Sequence, residues 1–306
     1  MPGVDPHVLM ATPFDSVDRI KTNFQTLEHH FRDKTDRRAI FLSAYLRITM
    51  EIEKNLGTGR FHDDQWMEQY ILAFANYYRQ YLWNFENNEW IPKPWQIAFE
   101  AGKLGDYPPS YSKQPEDGRP FKELLPTVSW RRPLVVQELI LGIHAHINYD
   151  LPMTLNKVGF DPDNEAHQHD HNEINLIIAE AVDAIQNFII SHYSPVLSIV
   201  DNALGNLDEM ITCWTFAKAR EHAWNYAVIL HKSSSAHPEI LNQMDDNAAV
   251  LARMILNPFG LSWILDMMRW VEDFKMKPKG QDKVIKWTSV IEGLPALDLK
   301  AWRTKK

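Results

Sequence analysis

Along most of the chain apolar residues return every three or four positions, the spacing of one buried stripe on an α-helix, and few segments alternate as strands do. Ser16 stands where an N-cap is needed for a helix to about Asp33, with Ile20, Phe24, Leu27 and Phe31 along one face. Residues 36–55 repeat the pattern, and Gly57 follows as a left-handed stop. A third helix starts on Asp63 or Asp64 and runs for about six turns, with Trp66, Tyr70, Phe74, Tyr77 and Tyr81 in its stripe. "PWQIAFEAGKLG" is shorter, with Pro94 in its first turn and Gly105 at its stop. Pro133 opens a helix expected to run to Asp150 and end at Pro152. Four more segments follow: 171–193, closed by Pro195, then 207–232, 236–256 and 261–274. The pattern predicts an all-α fold, a multi-helix bundle built as a single domain over residues 1–306.

One stretch breaks the periodicity. Residues 106–132, "DYPPSYSKQPEDGRPFKELLPTVSWRR", are rich in Pro, Ser and charge and read as an irregular arm or lid. From about 276 to 306 the chain is polar and reads as a loosely held tail.

Composition narrows the function classes. The net charge is -8, and the one basic cluster, "KAWRTKK", ends the chain, so nucleic acid is not an expected partner. A single cysteine, Cys213, excludes a disulfide framework or a multi-cysteine metal site within one chain, and a reducing compartment is expected. The N-terminus lacks the basic flank and apolar core of a signal peptide, and no uninterrupted apolar run approaches 18 residues. The expectation is a cytoplasmic protein with a small-molecule substrate and no membrane partner. Oligomeric state is left open.

Polar groups inside the greasiest helix carry the candidate chemistry. "LVVQELILGIHAHI", residues 134–147, is apolar nearly all round, so its polar side chains need partners. At about 100° per residue His146 and Asp150 share one face, while His144 and Asn148 share another roughly 160° away. Asp150 can accept from the His146 ring, fixing its tautomer and raising its basicity. Hydrogen bonding of a buried helix end is the competing reading, and the one favoured for His144.

In "HQHDHNEIN" Asp170 or Asn172 can cap a helix, His171 and Asn175 are i,i+4, and His167 and His169 read as loop decoration. In "AKAREHAWNYA" Arg220 and Trp224 share a face, suggesting a guanidinium held over a ring or paired with a buried carboxylate such as Asp150. No Glu-x-x-His pair, H-E-x-x-H, Gly-rich phosphate loop or G-x-S-x-G elbow is present. No cofactor motif is visible. A divalent metal stays open as an alternative, its ligands being His146, Asp150 and His171, with Glu173 as a fourth candidate.

These stretches resemble a family of bacterial and fungal proteins without an established activity. Its pattern G-x-x-A-H-I-N-x-D-L-P matches Gly142, Ala145, His146, Ile147, Asn148, Asp150, Leu151 and Pro152. Its later elements match Asp170, Asn175, Ala219, Arg220, Ala223 and Trp224, and the likeness spans roughly residues 60–230. The resemblance favours His146 over His144 and Arg220 over its charged neighbours, and it implies a tailoring role in secondary metabolism for fungal members.

The expectation is then an isomerase, cyclase or lyase acting on a small apolar metabolite. His146 and Asp150 would form the acid/base pair, Arg220 would stabilise developing negative charge, and Trp66, Tyr77, Asn148, Asn175 and Trp224 would line the substrate site. A metal-dependent oxygenase or hydrolase and a non-catalytic binding or scaffold protein are the alternatives.

Overall fold

The computed structural model describes residues 6–103, 133–193, 216–233 and 237–257, all within the first of two compact units, residues 1–272. The arm at 106–132, Cys213, the helix expected at 261–274 and the tail lie outside the described residues.

The described residues are helical and hold no strand. Their helices are α1 Pro6–Ala11, α2 Val17–Asp33, α3 Arg38–Asn55, α4 Asp64–Glu86, α5 Lys93–Lys103, α6 Val135–Ala145, α7 Leu151–Lys157, α8 Glu165–Tyr193, α9 Phe216–Lys232 and α10 His237–Leu256. The caps follow local chemistry. Ser16 Oγ accepts from the Arg19 N–H at 3.3 Å and Asp63 Oδ1 from the Trp66 N–H at 2.9 Å, each satisfying a donor the first turn leaves free. Gly57, at φ 71°, ends α3 as the left-handed residue its position requires.

The core forms around α3 and α4. Phe24 of α2 meets Phe14, Tyr45 and Tyr78 edge-on or tilted, and Trp95 and Phe99 of α5 stack against each other beneath Tyr78. Helix α6 presses onto α3 at Gly142, where an added Cβ would lie 2.4 Å from Phe41 Cγ. Only a residue without a side chain permits that approach. It sets the His146 ring edge-on to Phe41 and Tyr45, with ring centres 5.7 and 4.6 Å away.

Two local expectations are corrected. The helix opened by Pro133 does not stop at Pro152. It passes through a π turn, His146–Asp150, in which the Leu151 N–H reaches back to the His146 carbonyl, and continues as α7 to Lys157. The wider turn shifts the hydrogen-bond register, and Pro152 then falls in the first turn of α7, where its missing N–H costs least.

Helix α8 begins earlier than expected. Asn164 caps it, accepting from the Ala166 N–H at 2.9 Å, so His167 and His169 are helical rather than loop residues. Asp170 does not cap α8. Its buried carboxylate accepts from the His62 and Asp63 N–H groups at 2.8 Å each and anchors the entry to α4. Helix α8 is long and apolar enough to span a membrane by length and composition only; 24% of its apolar window is buried, and its Ile174, Ile177 and Ile178 pack in the core.

Candidate active site

Hydrogen-bond saturation separates the two histidines of "HAHIN". His144 has both ring nitrogens engaged: Nε2 donates to the Ala248 carbonyl at 2.8 Å, and Nδ1 accepts from Asn148 Nδ2 at 2.8 Å. Burial lowers its basicity. With no lone pair or proton left to offer, His144 ties α6 to α10.

His146 is engaged on one side only. Nδ1 lies 2.7 Å from Asp150 Oδ2, while Nε2 is buried and has no hydrogen-bond partner. The ring is stacked on Phe74, with centres 3.4 Å apart. Asp150 is fully buried and accepts from the Trp95 indole N–H at 2.9 Å (Oδ2) and 3.1 Å (Oδ1). With Asp150 ionised, Trp95 and His146 Nδ1–H both donate to one carboxylate and Nε2 keeps its lone pair; with the carboxyl neutral the roles at Nδ1 reverse. Burial pushes His146 well down, opposing an imidazolium, and pushes Asp150 well up against the help of the Trp95 hydrogen bond.

The second polar group is built by α8 and α9. Arg220, buried, donates from Nε to Asn175 Oδ1 at 2.9 Å and from Nη2 to the His171 carbonyl at 2.7 Å and His171 Nδ1 at 3.3 Å. The Tyr70 hydroxyl also reaches His171 Nδ1, at 3.1 Å. Burial, followed by the adjacent guanidinium, holds His171 well below the usual imidazole range, so the ring is neutral.

Both groups open on one cavity between α3, α4, α6 and α8. Its volume, counted as room for the centres of water-sized spheres, is about 60 Å³, and part of it opens to solvent. His146 and Arg220 line it, and most of the remaining wall is apolar, with Phe41, Tyr45 and Phe74 as its flat surfaces. Tyr70 adds a hydroxyl that burial pushes toward its neutral form. Such a lining suits an apolar ligand oriented by a few polar groups.

The residues expected to bind substrate are placed elsewhere: none of Trp66, Tyr77, Asn148, Asn175 and Trp224 lines this cavity. Trp66 stacks on His167 at 4.2 Å, Tyr77 packs on Tyr81, and Asn148 is held by His144. Asn175 acts through Arg220. Trp224 packs on Phe160 and His171, rather than under the Arg220 guanidinium, and Trp95, not Arg220, accompanies Asp150. The aromatic walls that replace them gave no sequence signal beyond ordinary helical stripes. Phe41 and Tyr45 are i,i+4 on α3, as Tyr70 and Phe74 are on α4.

The metal ligands considered from sequence do not face one point. Asp150 turns to Trp95 and Nδ1 of His146, His171 to Tyr70 and Arg220, and Glu173 to Arg60 at 2.5 Å. Among the described residues His62, His169 and Asp170 bring ligand atoms within 4.8 Å of one another. That carboxylate already accepts two backbone N–H groups and lies 2.9 Å from His169 Nδ1, which accounts for its placement without an ion.

A family model described as a family of unknown function, DUF5995, matches residues 17–112 and 109–258. The chain belongs to DUF5995. The match takes in every helix that walls the cavity, so in this DUF5995 chain His146, Asp150 and Arg220 are part of the family domain. No curated protein and no solved structure matches the chain.

Proposed function

We propose that the protein is an enzyme of proton transfer, acting on a small, largely apolar metabolite in the cavity between α3, α4, α6 and α8. The observation carrying this reading is His146 Nε2, a buried ring nitrogen without a hydrogen-bond partner on the wall of an apolar cavity. Leaving such a group unsatisfied costs about 1–3 kcal/mol, a cost a core histidine avoids as His144 does. A substrate C–H or O–H placed against Nε2 would supply the missing partner.

In this scheme Nε2 takes a proton from substrate, and Asp150 stabilises the imidazolium through Nδ1–H. Arg220 faces the electron-rich group left behind. The same nitrogen returns the proton to another carbon in an isomerisation or cyclisation, or to a leaving group in an elimination. Tyr45 and Tyr70 are held neutral by burial and act as donors or walls rather than bases. A tailoring step of secondary metabolism would suit such a site.

Solvent-isotope exchange tests this without a known substrate. The purified protein is incubated in D₂O with fractionated small-molecule extract, and products are read by mass spectrometry beside those of His146→Gln. Deuterium entering a compound with the native protein and not with the variant is the expected result. Absence of any His146-dependent mass change would leave the polar set as structure alone, the scaffold alternative.

A further inference from the structure

Arg220 poses a question that proton transfer alone does not answer. A buried guanidinium is ordinarily paired with a carboxylate, because its charge has been taken out of water. Here the residue is 3% exposed, and its partners among the described residues are all neutral: the Asn175 amide, the His171 carbonyl, the His171 ring and the neighbouring Tyr70 hydroxyl. No carboxylate pairs with it among the described residues. Asp150, the buried acid of the site, is committed to His146 and Trp95.

Nε and Nη2 are engaged by α8 and the Tyr70 hydroxyl sits beside the guanidinium, which leaves Nη1 the least engaged nitrogen of a side chain that lines the cavity. Arg220 is the only cation among the lining residues, and Ile48, Ile52, Ile71, Ile143 and Ile174 make much of the rest. One fixed positive charge in an apolar chamber matches one negative charge on an apolar body. A phosphate would bring up to two charges and three oxygens to a site with one cationic side chain, so the arrangement favours a carboxylate.

We propose that the cavity binds a monocarboxylate with a hydrocarbon or aryl body, its carboxylate taken by Arg220 Nη1 and its body packed on Phe41, Tyr45 and Phe74. The inference rests on the proton-transfer reading only in placing the ligand in the same cavity. Asn175 and the His171 carbonyl are positioning groups: they hold the guanidinium without neutralising it, so its charge stays available.

Direct titration tests this. Octanoate and 4-phenylbutanoate are each compared with their primary amides, which keep shape and lose charge, by calorimetry at pH 7.5. A charge-assisted hydrogen bond to a buried guanidinium predicts that each acid binds about 10- to 100-fold more tightly than its amide. Asn175→Asp sets a carboxylate against Arg220 Nε with almost no change of shape, and Arg220→Gln removes the charge. Either variant is expected to bring the acid-to-amide ratio close to one. A native ratio below about tenfold for both pairs, or no saturable binding of either acid at millimolar concentration, overturns the proposal. So does a ratio that survives in a folded variant. Because binding is measured without turnover, a loss of acid preference and a failure of deuterium exchange are separate results: the first refutes the carboxylate ligand, the second the proton transfer.

Discussion

Replacing Asp150 by Asn tests the His146–Asp150 pair with the least change of shape. The native carboxylate serves two buried donors, His146 Nδ1 at 2.7 Å and Trp95 Nε1 at 2.9 Å, both on Oδ2. An amide has one oxygen. If its NH₂ turns toward His146, Nδ1 must become the acceptor, the proton moves to Nε2, and the base is lost. If its oxygen serves both donors, a buried NH₂ is left without an acceptor. Either outcome costs about 1–3 kcal/mol. Asp150→Ala strands both donors and costs about 2–6 kcal/mol, the same penalty counted for each. Urea titration at constant slope reads these losses, and two-bond ¹⁵N–¹H spectra of the His146 ring read the tautomer. The native protein is expected to show Nδ1–H with a bare Nε2, and proton exchange with substrate to fall in Asp150→Asn by on the order of 10² to 10⁴. A native Nε2–H tautomer would refute the argument at once. So would an Asp150→Asn protein within about 0.5 kcal/mol of native that keeps its exchange rate.

His144→Ala is expected to destabilise by about 2–4 kcal/mol, since it strands the Ala248 carbonyl and Asn148 and leaves a void, while ligand binding in the cavity is unchanged by titration. Gly142→Ala drives a methyl into the Phe41 ring, and overpacking of about 1–3 kcal/mol is expected together with weaker binding of cavity ligands, because Phe41 is a cavity wall. Stability also depends on pH. His144 and His171 are held below their unfolded value of about 6.5, so below that pH the unfolded chain binds protons the native chain refuses. Their contribution is fully present above about pH 6.5 and is lost on acidification, by up to about 1.4 kcal/mol each between pH 7.5 and 5.5. Urea midpoints across that range check it, and the pH-dependent loss should shrink in a folded His144→Gln protein.

Helical periodicity made the bundle legible, because one buried stripe per helix is a local property of the chain. The pairing of His146 with Asp150 and of His144 with Asn148 was legible too, since i,i+4 neighbours meet on any helix. Which pair keeps a free nitrogen was not. That depends on the Ala248 carbonyl, 104 positions beyond His144, and on the Trp95 indole, 55 positions before Asp150. The start of α8 was misread because the histidines of "HQHD" suggest a loop, while the capping signal, Asn164, stands before them. The cavity walls stayed hidden for a related reason: Phe41, Tyr45 and Phe74 occupy ordinary core positions, and only the crossing of α3, α4 and α6 turns them toward a shared space.

The segment from Gly142 to Pro152 gathers several features that a helix chosen for stability would avoid. Gly142 costs about 1 kcal/mol against alanine in a helix, and an interior proline about 3 kcal/mol. The π turn between them relieves the proline, at the expense of a regular hydrogen-bond ladder. His146 adds an unsatisfied buried nitrogen. Scattered along a chain, such choices would read as tolerated defects. Here they serve one geometry: Gly142 lets α6 close on Phe41, the ring stack on Phe74 fixes the His146 plane, and the π turn carries the chain on to Asp150. Trp95 then holds the carboxylate from the opposite side. On the proton-transfer proposal, local stability is given up where the cavity needs a fixed, unshared lone pair, the pattern expected where a functional constraint rather than packing decides the sequence.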